Sequence, residues 1–136
     1  MRVAVLLITH GSIGEALLQS AVDVLGVCPL PAAFLSAPLG CDPPGILQKA
    51  KELAGQLDEG NGVLVLTDMF GATPSNIACR LREQQEIRVV AGINLPMLVR
   101  VLNYPRLSLD ELKEKALTGG RDGIVVCKHG EQCRDQ

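Results

Sequence analysis

The chain has 136 residues, 47% of them apolar, and a formal net charge of −2, which suits one globular domain with a sizeable core over residues 1–136. The slightly acidic balance, without a Lys/Arg cluster, carries no electrostatic footprint for nucleic acid or an anionic membrane surface. The opening MRVAVLLITH has an apolar run too short for a membrane span and no small-residue cleavage site, so no membrane insertion is expected and the location reads as cytoplasmic.

Residues 3–8 form a β-branched and leucine-rich run that ends at Thr9-His10-Gly11, the pattern of a parallel strand covered on both faces. Ser12 and Glu15 then have capping-box spacing, and Ile13, Ala16, Leu17, Ala21, Val24 and Leu25 recur at helical period up to Gly26, predicting a helix over about 13–25. Residues 32–35 read as a weak strand, and Asp42 with Pro43 opens a second helix that buries Ile46, Leu47, Ala50, Leu53 and Leu57 before Gly60. Residues 62–67 repeat the first strand pattern, and Thr73-Pro74 opens a helix through Leu81 after a polar loop. A strand at 87–91, a short helix from Pro96, a helix capped by Ser108 and Glu111 to about Thr118, and a last strand at 123–127 complete the order. Alternation of this period predicts an α/β fold, a doubly wound and mostly parallel open sheet with helices on both faces.

Five cysteines make an odd count in a chain that needs no staples, and they read as reduced thiols. Cys127, His129 and Cys133 have C-x-H-x3-C spacing but supply only three ligands without a partner cluster, so a polar tail is favoured and no metal is expected. No cofactor is implied: neither G-x-G-x-x-G nor a P-loop is present.

In such sheets reactive groups gather beyond the carboxyl ends of the strands, near the reversal of strand order. His10 leaves the first strand as one helix starts, and Asp68 leaves the third strand just before another. If those strands are neighbours, the two side chains face each other beside two helix N-termini, a favourable spot for phosphate. A carboxylate bonded to one ring nitrogen sets the tautomer and frees the other nitrogen to attack phosphorus. Thr73 and the amides around Gly71 and Ala72 could bind the transferred oxygens. Neither loop has a Lys, an Arg or a metal-ligand cluster, so the group would have to arrive already activated. Spacing alone leaves plainer roles open: a surface or capping histidine for His10, an Asx turn for Asp68, an N-cap for Thr73, a turn glycine for Gly71, a loop and helix start for Asn94 and Pro96, and packing for Met69 and Phe70.

With THG after the first strand, TDMFGATPSN after the third and AGINLPMLVRVL after the fourth, the sequence resembles enzyme IIA of the mannose family of the phosphoenolpyruvate-dependent sugar phosphotransferase system (PTS). The resemblance implies that His10 is the phosphorylated residue, that Asp68 bonds its ring, and that Thr73 helps hold the phosphoryl group with Gly11, Gly71 and Ala72 nearby. It implies the phosphocarrier HPr as donor, a IIB protein as acceptor, and a homodimer in which the last strand is exchanged between subunits. Two departures stand out. Where the family loop commonly reads D-x-W/F-G-G-S-P, this chain has Ala72 and Thr73, and an alanine does not take positive φ as glycine does. The sequence also stops without the linker and IIB domain of some family members, so the acceptor is expected to be a separate protein.

A regulatory module whose phosphorylation state signals to another protein is the second reading, and a phosphotransferase subunit of a dihydroxyacetone kinase the third. A histidine phosphatase fits poorly, because Thr9 stands where that chemistry needs an arginine.

Overall fold

The computed structural model describes residues 1–83 and 86–128. Strand β1 (Ala4–His10) leads into helix α1 (Ile13–Leu25), followed by β2 (Ala32–Ala37), α2 (Pro43–Leu57), β3 (Val63–Thr67), α3 (Thr73–Leu81), β4 (Ile87–Ala91), α4 (Leu95–Leu102) and α5 (Leu109–Asp122). The strands form one parallel sheet in the order β2-β1-β3-β4. Parallel neighbours cannot be joined by a tight turn, so every connection carries a helix across a face of the sheet.

The two central strands explain the long apolar runs. Successive side chains of β1 and β3 point to opposite faces, and both faces are covered. Val5, Leu7, Leu64 and Leu66 join Leu98, Val101 and Leu112 in a core roofed by α1, α4 and α5. Leu6, Ile8 and Val65 join Ile77 and Leu81 in the opposite core, under α2 and α3. From β1 the chain moves outward to β2, then returns to β3 and proceeds to β4. The reversal of strand order therefore falls between β1 and β3, where their carboxyl ends open side by side.

Local signals were met unevenly. Ser108 and Glu111 form the expected capping box, with the Glu111 N–H donating to Ser108 Oγ at 3.3 Å and the Ser108 N–H donating to Glu111 Oε1 at 3.1 Å. Ser12 and Glu15 do not: Ser12 sits at φ −96° and ψ 11° and makes no side-chain cap, because its backbone lies outside the extended region an N-cap needs. Asp42 precedes α2 in extended geometry without a side-chain cap. Asn94 is the N-cap of α4, accepting from the Met97 N–H at 2.8 Å while its Nδ2 donates to the Gly120 carbonyl at 3.0 Å, which ties α4 to α5.

Two elements run past their predicted ends. β2 continues to Ala37, and α5 continues through Gly119 and Gly120 to Asp122. These glycines do not stop the helix; they let it press on α4, since a Cβ at Gly119 would come within 2.8 Å of Arg100 Cβ and one at Gly120 within 2.8 Å of Met97 Cε. The strand expected at 123–127 is not formed: Gly123 follows α5 and residues 124–128 pair with no strand among the described residues. A strand exists only where another edge accepts its hydrogen bonds, and among the described residues this segment meets none.

Cys28, Cys41, Cys79 and Cys127 are free thiols, whereas His129 and Cys133 lie outside the described residues. Among the described residues there is no metal-binding group of three His, Cys, Asp or Glu, and no helix is long and apolar enough to cross a membrane. Leu66 is fully buried at the centre of the sheet, so Leu66→Ala should lower unfolding stability by about 2–5 kcal/mol, read as a shift in the urea midpoint.

Candidate active site

His10 is the last residue of β1, and Asp68 follows the last residue of β3. Parallel pairing of Ile8 with Thr67 brings these two strand ends together, so residues 58 positions apart meet directly. Asp68 Oδ2 lies 2.8 Å from His10 Nδ1 and accepts the His10 backbone N–H at 3.1 Å. One carboxylate oxygen thus grips both the ring and the main chain of the histidine. The His10 side chain is 42% exposed and that of Asp68 12%: the carboxylate is sunk below the surface while the ring reaches it.

Burial pushes the Asp68 carboxyl up, but the hydrogen bonds from the His10 ring and backbone outweigh it and hold the group below its ordinary value. The ionised carboxylate can only accept, so Nδ1 must carry the proton, and in the neutral ring Nε2 then holds the lone pair. The second oxygen, Oδ1, is buried without a partner among the described residues, as is Thr67 Oγ1.

Of the sequence-predicted loop residues, Thr73 shares a cavity with His10, and Gly11, Gly71 and Ala72 lie on the loops that follow β1 and β3. Gly11 turns the chain at φ +45° between His10 and α1. Gly71 takes φ +86°, the left-handed geometry that favours glycine. Ala72 sits at φ −81° and ψ 171° as the N-cap of α3, so the position needs no second glycine and the alanine fits without strain. Its N–H donates to the Met69 carbonyl at 3.3 Å. Thr73 is therefore the first residue of α3 rather than its cap, with Pro74 beside it, and it lines a cavity of about 240 Å³ together with His10. The N-termini of α1 and α3 both open toward this sheet edge, each with a partial positive charge and first-turn N–H groups that no carbonyl of the helix accepts.

The other wall of the cavity was missed from sequence. It is the turn between β2 and α2, contributing Pro38, Leu39, Gly40 and Cys41. The sequence carried part of the signal, since in a parallel sheet every carboxyl-end loop opens on the same edge; that β2 lies beside β1 comes from the structure. Leu39, Met69 and Phe70 are exposed apolar side chains on the loops after β2 and β3.

A doubly wound domain with a carboxylate-oriented histidine at its switch point defines a class of site suited to nucleophilic chemistry at the ring. Comparison with known proteins narrows this. The model of the family described as "PTS system fructose IIA component" matches residues 4–117, and the chain belongs to that family. The mannose-specific EIIAB component of the PTS from Escherichia coli is 33% identical over 131 residues, covering 94% of this chain and 40% of that protein. The chain thus spans less than half the length of that curated relative. The transcriptional regulatory protein LevR of Bacillus subtilis is 32% identical over 114 residues, covering 79% of this chain and 12% of that one. A solved mannose/sorbose-specific IIA subunit from Enterococcus faecalis superposes with a TM-score of 0.84 at 27% identity, covering 98% of this chain and all of the other.

The Asp68 geometry has a pH consequence. Its folded value is depressed below 3.8, so its contribution to stability is complete above that unfolded value and is lost as pH falls through the folded one. Asp68→Asn removes the titration. The wild type should therefore lose more stability than Asp68→Asn on acidification through that window, as measured by denaturant unfolding across a pH series.

Proposed function

We propose that this IIA protein is a phosphocarrier that accepts a phosphoryl group from phospho-HPr on His10 and passes it to a IIB acceptor in sugar uptake. The observation that carries the proposal is the Asp68–His10 pair at 2.8 Å, which leaves Nε2 as the ring's nucleophile. In the forward step the Nε2 lone pair attacks phosphorus, a P–N bond forms, and the bond to the donor's ring nitrogen breaks with its electron pair returning to that nitrogen. Asp68 keeps the proton on Nδ1 and offsets the positive charge that builds on the imidazole. The Thr73 hydroxyl and the amides around Gly11, Gly71, Ala72 and Thr73 bind the oxygens. The reverse sequence delivers the group onward, so the protein acts as a protein-histidine phosphotransferase without a cofactor.

A regulatory role, in which the phosphorylated domain signals to another protein, is favoured by one finding: the likeness to part of LevR, a transcriptional regulatory protein. It uses the same histidine chemistry and differs in the acceptor. On incubation with phosphoenolpyruvate, enzyme I and HPr, the intact mass should rise by one acid-labile phosphoryl group, and His10→Ala should lose the gain completely. Rapid onward transfer to a sugar-specific IIB protein then separates transport from signalling.

We also propose the homodimer. Ile124, Val125 and Val126 are three consecutive apolar side chains, each 74% exposed or more, which favours their covering by a second subunit whose sheet edge they would extend. Sedimentation should give a dimer for the wild type and a monomer for Val125→Asp, while a monomeric wild type at micromolar concentration overturns the assignment.

A further inference from the structure

The histidine is held from a second side that the phosphocarrier reading does not use. Thr9 is 1% exposed, and its side chain lies on the face of the sheet opposite His10. Its Oγ1 accepts the Gly14 N–H at 2.8 Å and donates to the His10 carbonyl at 3.3 Å. A hydroxyl has one proton and two lone pairs, so both bonds are made at once. Gly14 is the second residue of α1, and its amide is one of those a helix start leaves without an internal partner. The Ser12 side chain, at the N-cap itself, leaves this task undone.

The contact is closely built. A Cβ at Gly14 would sit 2.9 Å from Thr9 Oγ1 and 3.4 Å from Thr9 Cγ2, so the absence of a side chain at Gly14 is what lets the hydroxyl reach the amide. The bond spans His10, Gly11, Ser12 and Ile13 and closes them into a loop pinned to the end of β1. Within that loop every main-chain polar group of His10 is accounted for: its N–H goes to Asp68 and its carbonyl to Thr9. Asp68 fixes the ring nitrogen, and Thr9 fixes the peptide that carries the ring.

We infer that Thr9 is a positioning residue for His10, clamping the β1-α1 turn so that the imidazole meets Asp68 in a single orientation with Nε2 directed outward. The catalytic consequence rests on His10 being the phosphoryl acceptor, whereas the geometric claim does not. Threonine is suited to the place because its methyl packs among buried groups while its hydroxyl makes both bonds. Valine keeps the shape and loses both bonds; serine keeps the bonds and loses only the methyl.

The test pairs two readouts on Thr9→Val, Thr9→Ser and Gly14→Ala. The first is the ¹⁵N NMR signature of the His10 ring in unphosphorylated protein. Wild type and Thr9→Ser should each show one Nδ1–H tautomer, while Thr9→Val and Gly14→Ala should show a mixed or broadened signal. The second is the rate of labelling by phospho-HPr, expected to fall about tenfold in Thr9→Val and Gly14→Ala and to stay near wild type in Thr9→Ser. Gly14→Ala retains the hydroxyl and displaces it, so it tests the same geometry if Thr9→Val does not fold. A folded Thr9→Val or Gly14→Ala with an unchanged ring signature overturns the inference whatever the rates do. A changed signature in these variants alongside a wild type that is never labelled upholds the positioning role and removes the phosphocarrier reading instead.

Discussion

The parallel pairing of β1 with β3 is the constraint on which the site depends. Each strand is an apolar run buried on both faces, so both must lie inside the sheet, and neither can be joined to its neighbour except by a helix crossing one face. Once they are adjacent, the first polar residues after each run emerge at the same edge. His10 and Asp68 meet because the hydrophobic segments before them run out at matching positions in the register.

That meeting costs something. Asp68 is desolvated, and one of its oxygens is buried without a partner among the described residues, as is the hydroxyl of the preceding Thr67. Buried polar groups left unsatisfied are uncommon in folded proteins, and a fold tends to break its own rules at the places where it works. The bonds from His10 hold the carboxylate ionised despite the burial, and an ionised carboxylate is what keeps the proton on Nδ1. The burial of Asp68 and the exposure of His10 belong together: a fully solvated partner would be screened and loosely oriented, and a fully buried ring could not be reached.

Much of the architecture was legible in the sequence because it is written in short-range patterns. The runs ending at Thr9 and Thr67, the Ser108–Glu111 box and the proline near the start of α3 are local signals that the tertiary structure had no reason to override. The failures are equally local in origin. Ser12–Glu15 had the spacing of a capping box, but the loop was already clamped by Thr9 from the end of β1. Gly119-Gly120 looked like the end of a helix because the close approach of Arg100 and Met97 lies outside any window around those glycines. Alanine at position 72 departs from a glycine of the family loop, yet in this loop it is Gly71 that carries the positive φ while Ala72 is extended.

By itself the sequence determined the order and type of the elements from β1 to α5, the two-sided burial of the central strands, and the residue types available at their carboxyl ends, since all of these follow from composition and period along a continuous stretch; it also wrote a strand at 123–127 that this chain does not form. Only the tertiary structure decided that β1 and β3 are neighbours, that one Asp68 oxygen serves both the ring and the main chain of His10, and that the turn after β2 walls the cavity. The physical reason is separation. Those contacts join residues tens of positions apart, and their energies arise only after the sheet has brought the strand ends within hydrogen-bonding distance.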